Sequence, residues 1–390
     1  LWRFLKSGNK PMEAVIGHDE IKDRFRTAIR RDRLPSTFLF LGPEGVGKQT
    51  FAMALAKSLL CQGDLKDPLE ACSECESCKL FDAGISEESK RVKDVDLDLN
   101  QHPDFKYVKR RENRNSLLIE QFIGKDDRRN KEGMVHDISR SPSLGKRKIA
   151  IIDDGDSLNH ECANCLLKTL EEPPARAVII IIGKIEQGQL PTIRSRSQLV
   201  HFKALAIDQV KLVLQRFPGE SLLAPIEEIA TRSNGSLTIL QQYQSRDLVE
   251  FRESFFNQLA SRDITAGGFV KKLSDCVDQA GKENPVRRQR ARQLVDFAIE
   301  FYRSVGLRLV GPEIDMGGDR LLMSAVEKVV ADWDTDIDMV ADCIDRCLDV
   351  HRHLNANANL SNLIECWLSD LGKLSRGEIG YHEIKQVGAV

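Results

Sequence analysis

The chain has 390 residues, of which 41% are hydrophobic and 30% are charged, a composition typical of a globular protein with two or three domains. Its 57 Lys and Arg residues are balanced by 59 Asp and Glu residues, which excludes a global charge that attracts nucleic acid. No apolar run is long enough for a membrane helix, and the N-terminal LWRFLKSGNKPM lacks the cleavage site of a secretory signal. Ten cysteines, several in apolar helical contexts, favour a reducing cytoplasm over a disulfide scaffold.

The first motif of the chain is a glycine-rich loop between a predicted strand and a predicted helix. STFLFLG (36–42) is a short apolar run, and QTFAMALAKSLLC (49–61) has helical spacing, which is the context of a phosphate-binding loop. The pattern G-x-x-x-x-G-K is intact, but Gln replaces the hydroxyl residue that normally holds Mg²⁺ after the Lys. The alternative is a glycine-rich turn without a ligand. The candidate nucleotide-binding residues of the loop are Gly42, Gly45, Gly47, Lys48, Gln49 and Thr50.

A group of cysteines follows the predicted helix. Their C-x10-C-x2-C-x2-C spacing lets four thiolates converge on one tetrahedral ion, which predicts a structural Zn²⁺ without an open coordination position. Reduced thiols without a metal and an iron–sulfur cluster are the alternatives. The four candidate ligands are Cys61, Cys72, Cys75 and Cys78.

The other cysteines have no such spacing. Cys162 and Cys165 lie three residues apart in a helical stretch, where their side chains share one face, and we expect both to be buried structural residues. The remaining four are isolated core candidates: Cys276, Cys343, Cys347 and Cys366.

Further strands are predicted after the cysteines. DFKYV (104–108) is a candidate edge strand, while KRKIAIIDD (146–154) and AVIIIIG (177–183) are continuous apolar runs, typical of parallel strands buried on both faces. Asp153, at the end of the second run, fits the Mg²⁺ ligand of a nucleotide site. Asp154 occupies the position of the Glu that activates water, with one methylene fewer, and water attack tolerates little misplacement. Surface acids at a strand end are the alternative.

After about residue 202 the strand signals stop and helical periodicity takes over. The first part of the chain therefore predicts an α/β fold and the remainder predicts helices. We expect three domains, with boundaries at 1–203, 204–247 and 248–390.

Three basic stretches are candidate contacts with a phosphate backbone. Each has acids nearby, and a charge run more often forms a solvated face. The stretches are KRRENR (109–114), DDRRNK (126–131) and PVRRQRAR (285–292).

Together these features resemble the AAA+ subunits of the bacterial DNA polymerase III clamp loader. NCLLKTLEEPP (164–174) looks like the family's N-A-L-L-K-T-L-E-E-P-P, and LPTIRSRS (190–197) looks like its L-P-T-I-x-S-R-C, with Ser197 in place of Cys. The resemblance is dense from Val15 to Lys203 and weak beyond it. Two more segments, and the cysteine group, fit the family's spacing: IGHDE (16–20) and QHPDF (101–105).

The resemblance implies a RecA-like AAA+ domain with a zinc module at 61–78, a helical lid domain and a helical collar domain for oligomerisation. In this family the motor subunits keep intact motifs, whereas the delta-prime type carries eroded ones. Besides Gln49 and Asp154, Lys184 stands where a polar Thr would sense the γ-phosphate, and Thr238 stands where motor subunits have a sensing Arg. Arg196, the Arg of the Ser-Arg-Cys motif, is retained, and in the family this side chain projects into the ATP site of the neighbouring subunit.

The resemblance implies a cytoplasmic delta-prime-like stator subunit that joins gamma/tau and delta subunits in a hetero-pentamer. The complex would load the sliding clamp onto primed DNA, with Arg196 acting in trans, while ATP and Mg²⁺ at this chain's own site remain in question. One alternative is a catalytically active gamma/tau-like motor that uses Thr50 or a water. The other is an unrelated AAA+ remodelling ATPase or Holliday-junction motor, against which the cysteine group and KTLEEPP argue.

Overall fold

The chain folds into two compact units, one of residues 1–218 with 234–238 and the other of residues 219–233 with 239–390. The computed structural model describes residues 10–88, 102–111, 116–217, 226–233, 235–238, 246–261, 263–265, 268–281, 283–311, 319–332, 336–356 and 358–387. Most of the N-terminal segment considered for a secretory signal, Gln101 of QHPDF and residues 112–114 of the first basic stretch lie outside these ranges. The domain boundaries at residues 203 and 247 remain predictions.

The first unit contains a five-stranded parallel sheet with the strand order β2-β3-β4-β1-β5. Every residue of β1, β3 and β4 is buried, as their continuous apolar runs predict. DFKYV forms β2 at one edge, as expected. β5 was not predicted, because it is short and only Val200 of its four residues is buried. The strands are β1 Thr37–Leu41, β2 Phe105–Val108, β3 Lys148–Ile152, β4 Ala177–Ile182 and β5 Gln198–His201.

Helices cover both faces of this sheet, as predicted. Alternate residues of each strand face opposite sides: Phe40 packs with Phe25 and Phe51 on one face, while Leu39 packs with Phe122 and Leu166 on the other. The helices of this unit are α1 Asp19–Arg30, α2 Lys48–Leu60, α3 Glu76–Glu88, α4 Ile119–Ile123, α5 Met134–Ser139, α6 His160–Glu171, α7 Pro191–Arg194 and α8 Ile207–Arg216.

The described part of the second unit is helical, in agreement with the sequence. Its core includes Cys276, Cys343 and Cys347, which confirms three of the isolated core cysteines. The fourth assignment is wrong, because Cys366 is exposed on the side of its helix opposite the core residues. The helices are α9 Ile226–Arg232, α10 Arg246–Leu259, α11 Phe269–Gln279, α12 Asn284–Val310, α13 Arg320–Asp332, α14 Ile337–Asn355, α15 Leu360–Ser375 and α16 Tyr381–Val387. None of the helices in the described ranges has the length and apolarity needed to span a membrane.

A buried histidine connects α3 to the segment before β2. His102 is fully buried; its Nδ1 accepts the backbone N–H of Asp104 at 3.0 Å, and its Nε2 lies 2.7 Å from Ser77 Oγ. The Ser77 hydroxyl in turn donates to the carbonyl of Leu60 at 2.7 Å. This arrangement requires a neutral imidazole with its proton on Nε2.

Burial of His102 makes the stability of the fold depend on pH. Burial, aided by the Lys148 ammonium and opposed by the Asp104 carboxylate, lowers the pKa of His102 from 6.5 to about 4. Between these values the unfolded chain binds a proton that the folded chain does not, so stability falls as the pH is lowered through this window. We expect this residue to contribute a loss of roughly 3 kcal/mol at most. Urea unfolding at pH 7, 6 and 5 measures it.

His102→Gln is the control, because the amide keeps a donor for Ser77 and does not titrate. The variant should show a smaller loss of stability over the same window. An identical pH dependence in the two would contradict the assignment.

Candidate functional site

The glycine-rich loop runs from the end of β1 to the start of α2. Gly42, Gly45 and Gly47 all have positive φ, at +146°, +76° and +96°, which side-chain-bearing residues rarely adopt. A Cβ on Gly42 would lie 2.2 Å from the carbonyl oxygen of Phe202. The loop therefore has a backbone that only these glycines permit.

Lys48 is bonded to its own loop. Its Nζ donates to the carbonyls of Gly42 at 2.5 Å and Pro43 at 2.6 Å. Burial lowers the pKa of Lys48 to about 8, although the nearby Glu44 and Asp156 carboxylates favour the charged form. The ammonium that a phosphate-binding loop offers to a nucleotide is thus held by two backbone oxygens.

Gln49 donates a hydrogen bond to Asp153. Gln49 Nε2 lies 3.0 Å from Asp153 Oδ2, and the Tyr107 hydroxyl donates to the same oxygen at 2.7 Å. Gln49 also donates to the Tyr107 hydroxyl. The carboxylate oxygen that would bind Mg²⁺ already accepts two hydrogen bonds, and no hydroxyl follows Lys48. These residues do not fit a Mg²⁺ site.

Asp154, which follows Asp153, has a left-handed backbone conformation. It has φ +59° and precedes a single 3-10 turn. Burial, and secondarily the neighbouring Asp153 carboxylate, raise the pKa of Asp154. Lys109 lies 3.9 Å from Asp153 and Arg110 lies 3.8 Å from Asp154, so this basic stretch neutralises the acids of the site.

Arginines of the other two basic stretches also have partners within the chain. Arg128 pairs with Glu132 at 2.6 Å, and the buried Arg288 donates to the carbonyls of Leu354 and Ala358 at 3.0 and 2.6 Å. These contacts favour the interpretation of solvated or structural charges over phosphate contacts.

Two groups lie against the outside of the loop. Lys184 Nζ forms an ion pair with Glu44 at 2.8 Å; burial alone would raise the pKa of Glu44, but this ammonium lowers it. The segment 235–238 contacts the loop directly, because Ser236 Oγ donates to the Glu44 carbonyl at 2.8 Å and Leu237 N donates to the Gly45 carbonyl at 2.8 Å.

Arg196 lies apart from this loop, after α7. Its Nε and Nη2 donate to Glu171 Oε1 at 3.0 and 2.6 Å, and its Nη1 donates to the Thr192 carbonyl at 3.2 Å and to Ser195 Oγ at 3.1 Å. The side chains of Arg196 and Glu171 are 33% and 51% exposed. The guanidinium is therefore at the surface and held in one orientation.

The four predicted metal ligands come together at the end of α2 and the start of α3. Their Sγ atoms all lie within 4.8 Å of one another, with Cys61 3.5 Å from Cys72 and Cys72 4.0 Å from Cys78. Backbone N–H groups point at the sulfurs, such as Cys72 N to Cys61 Sγ at 3.2 Å and Cys75 N to Cys72 Sγ at 3.3 Å. This group can hold a metal ion. In the separate pair, Cys162 is buried as predicted and Cys165 only half-buried.

Sequence reasoning missed two partners in these sites, Tyr107 and Glu171. Tyr107 lies near the carboxyl end of β2, which pairs with β3, so the adjacency of the two strand ends was the available signal. Glu171 lies within the motif KTLEEPP, but its contact with Arg196 joins residues 25 positions apart and has no signal in the local pattern. The functional roles of the predicted site residues remain predictions.

The chain is similar to known DNA polymerase III subunits. Residues 17–206 match the family described as "DNA polymerase III, delta subunit". The chain is 28% identical over 219 residues to subunit delta' of Pseudomonas aeruginosa, with 55% of this chain and 57% of that one covered. It is also 28% identical over 271 residues to subunit gamma/tau of Mycoplasma genitalium, with 69% and 39% covered.

Among solved structures, the chain is similar to a DNA polymerase III gamma-subunit-related protein of Thermotoga maritima. The TM-score is 0.39 at 16% identity, with 91% of this chain and 99% of that chain covered. The chain spans little more than half the length of the Pseudomonas delta' subunit, at 57%.

A parallel sheet with a glycine-rich loop after β1 and an acidic residue after β3 defines an α/β domain of the P-loop, AAA+ class. Over residues 17–206 the chain is similar to DNA polymerase III delta-prime and gamma/tau subunits. The resemblance inferred from the motifs is thereby confirmed.

The contact between the loop and residues 235–238 gives a prediction for two loop glycines. A Cβ on Gly45 would lie 2.4 Å from Ser236 Oγ and 2.5 Å from the backbone N of Thr238, whereas one on Gly47 would have none of the described heavy atoms within 4 Å beyond its chain neighbours. Both substitutions by Ala carry a left-handed strain of about 1–2 kcal/mol, but only Gly45→Ala must also displace 235–238.

Hydrogen exchange of the Leu237 N–H, which donates to Gly45, measures this displacement. We expect exchange to rise roughly tenfold or more in Gly45→Ala relative to Gly47→Ala, because local opening exposes this amide. Equal exchange in the two variants would show that the segment does not depend on the loop.

Proposed function

We propose that the chain is a delta-prime-like stator subunit of the DNA polymerase III clamp loader, acting in the cytoplasm. It binds gamma/tau and delta subunits in a hetero-pentamer that loads the sliding clamp onto primed DNA, and the neighbouring subunits hydrolyse the ATP. The observation that carries the proposal is the hydrogen bonding of Asp153 by Gln49 and Tyr107. It supports a loop whose shape persists without Mg²⁺ and a site that does not hydrolyse ATP.

We further propose that Arg196 acts in the ATP site of a neighbouring subunit. Its guanidinium is partly exposed on the surface and is positioned by four hydrogen bonds. An arginine contributed in trans to a neighbour's γ-phosphate is worth about 10³–10⁵ in rate in related NTPases. The chain thus lacks hydrolytic machinery of its own and supplies a cation to a neighbouring site.

The active motor is the second candidate. The chain is as similar to a gamma/tau subunit as to a delta' subunit, at 28% identity in both cases, and the three loop glycines and Lys48 are retained. The stator is favoured because a motor must release Asp153 from Gln49 and Tyr107 before the carboxylate can bind a metal.

The cysteine group is proposed to hold one structural Zn²⁺. Zn–S bonds of about 2.3 Å in a tetrahedron place the sulfurs about 3.8 Å apart, and the S–S distances of 3.5 and 4.0 Å bracket this value. Zinc would fasten Cys61, at the end of α2, to Cys78 in the first turn of α3.

The zinc proposal predicts about one Zn²⁺ per chain by elemental analysis of the purified protein. Cys75→Ser should lose the ion and lower the unfolding temperature, because metal binding and folding are coupled in such sites. Cys366→Ser, which changes an exposed thiol, should leave both unchanged. A metal-free chain with the wild-type unfolding temperature in mild reducing buffer would contradict the proposal.

The isolated chain should show negligible ATP turnover. Gln49→Thr alone should restore little, because Asp154 still stands in place of Glu and residues that act as a unit are not additive. A phosphate-release assay measures the rate. A turnover of about 1 s⁻¹, the low end of ordinary enzyme rates, that Lys48→Ala abolishes would establish the motor instead.

Arg196→Ala should leave the fold and the assembly with partner subunits nearly intact, because one exposed charge adds little to a large interface. The reconstituted complex should lose most of its ATPase activity stimulated by clamp and DNA, whereas Lys48→Ala should have far less effect. Arg194→Ala is the matched control, since Arg194 lies two residues away and pairs with Glu186 at 2.9 Å. A larger effect from Lys48→Ala than from Arg196→Ala would refute the stator.

A further inference from the structure

We propose that Glu171 is a positioning residue for Arg196, which orients the guanidinium for the ATP site of the neighbouring subunit. The inference rests on the proposed function of Arg196 and adds a residue that acts through it. Glu171 is the last residue of α6, and Pro173 and Pro174 follow two residues later. These prolines prevent the helix from continuing, which fixes where its final carboxylate lies.

The geometry assigns this role because a single carboxylate oxygen accepts hydrogen bonds from both nitrogens on one edge of the guanidinium. Glu171 Oε1 accepts from both Nε and Nη2 of Arg196, at 3.0 and 2.6 Å. Because the guanidinium is planar with a fixed fork of donors, this contact sets the direction of the terminal Nη1–Nη2 edge. Because Nη1 donates to Thr192 and Ser195, the described contacts leave one N–H of Nη2 on this edge to donate to a phosphate oxygen.

Two further acceptors bind the other terminal nitrogen of Arg196. Nη1 donates to the Thr192 carbonyl at 3.2 Å and to Ser195 Oγ at 3.1 Å, both within the local turn around α7. Of these contacts, only that of Glu171 comes from another helix. A long arginine side chain fixed before the partner arrives loses less conformational freedom on reaching the transition state.

The neighbouring arginine shows that the contact is selective. Arg194, in the same IRSR segment, pairs with Glu186 instead. The two arginines of the segment are thus directed to different carboxylates, and Glu171 receives the one that the family places in a neighbour's site.

The test uses the complex reconstituted with its gamma/tau-type and delta-type subunits, and measures kcat and KM for ATP with clamp and primed DNA. Glu171→Ala should lower kcat about five- to tenfold, less than the roughly hundredfold cost of an ångström of misplacement, because Thr192 and Ser195 still hold Nη1. The KM should stay within about twofold, since the arginine acts on the transition state. Glu171→Gln should retain most of the activity, because its amide oxygen can accept from both nitrogens.

A double variant separates positioning from an independent effect. Adding Glu171→Ala to Arg196→Ala should change the rate no further, because residues that act through one another are not additive. Glu172→Ala removes the same charge from the adjacent exposed residue and should match wild type. Thermal unfolding and co-purification with the partners check that each variant folds and assembles.

The outcomes distinguish this inference from the proposed function. If Arg196→Ala has no effect, the role in trans fails and the inference fails with it. If Arg196→Ala lowers the rate but Glu171→Ala does not, or if Glu171→Ala lowers it equally in the Arg196→Ala background, the positioning role is overturned and the proposed function stands. A higher rate in both Glu171→Ala and Glu171→Gln would mean that the carboxylate restrains the arginine, which also overturns it.

Discussion

The candidate site depends on how the carboxylate of Asp153 is satisfied. It follows a strand whose residues are all buried, and a charged group in such a place must be paired or hydrogen-bonded. In a hydrolysing site of this class a metal ion would meet that requirement. Here the Gln49 amide and the Tyr107 hydroxyl meet it, so the residue that replaces the metal-binding hydroxyl also replaces the metal's interaction with the carboxylate.

In the rest of the loop, too, contacts within the chain satisfy groups that a bound nucleotide would otherwise contact. Lys48 donates to two loop carbonyls, and Lys184 pairs with Glu44. Each cation that would face a nucleotide phosphate has an oxygen partner within the chain, so the loop needs no anion to keep its shape.

The sequence predicted the elements that have a local pattern of their own, and it did not predict features that depend on contacts between distant residues. β1, β3 and β4 were recognisable because every residue in them is buried, and the cysteine ligands were recognisable from spacing. β5 was missed because an edge strand with one buried residue has no apolar run. Cys366 was misplaced because only one face of α15 is buried, and Cys366 lies outside that face although the adjacent Trp367 belongs to it. Tyr107 was missed although β2 was expected at the sheet edge, and the contact of Arg196 with Glu171 was not predictable because it joins residues 25 positions apart.

The cysteine group and the glycine-rich loop are connected through one helix and one strand. α2 begins at Lys48 and ends at Leu60, next to Cys61, so the loop and the candidate metal site lie about 20 Å apart at its two ends. Ser77, in the first turn of α3, bonds both the carbonyl of Leu60 and His102, and the chain continues from His102 directly into β2. Since β2 carries Tyr107, a metal bound by the cysteines would stabilise both elements that supply the partners of Asp153. Such a metal would therefore fix the end of α2 and the start of β2 rather than take part in chemistry.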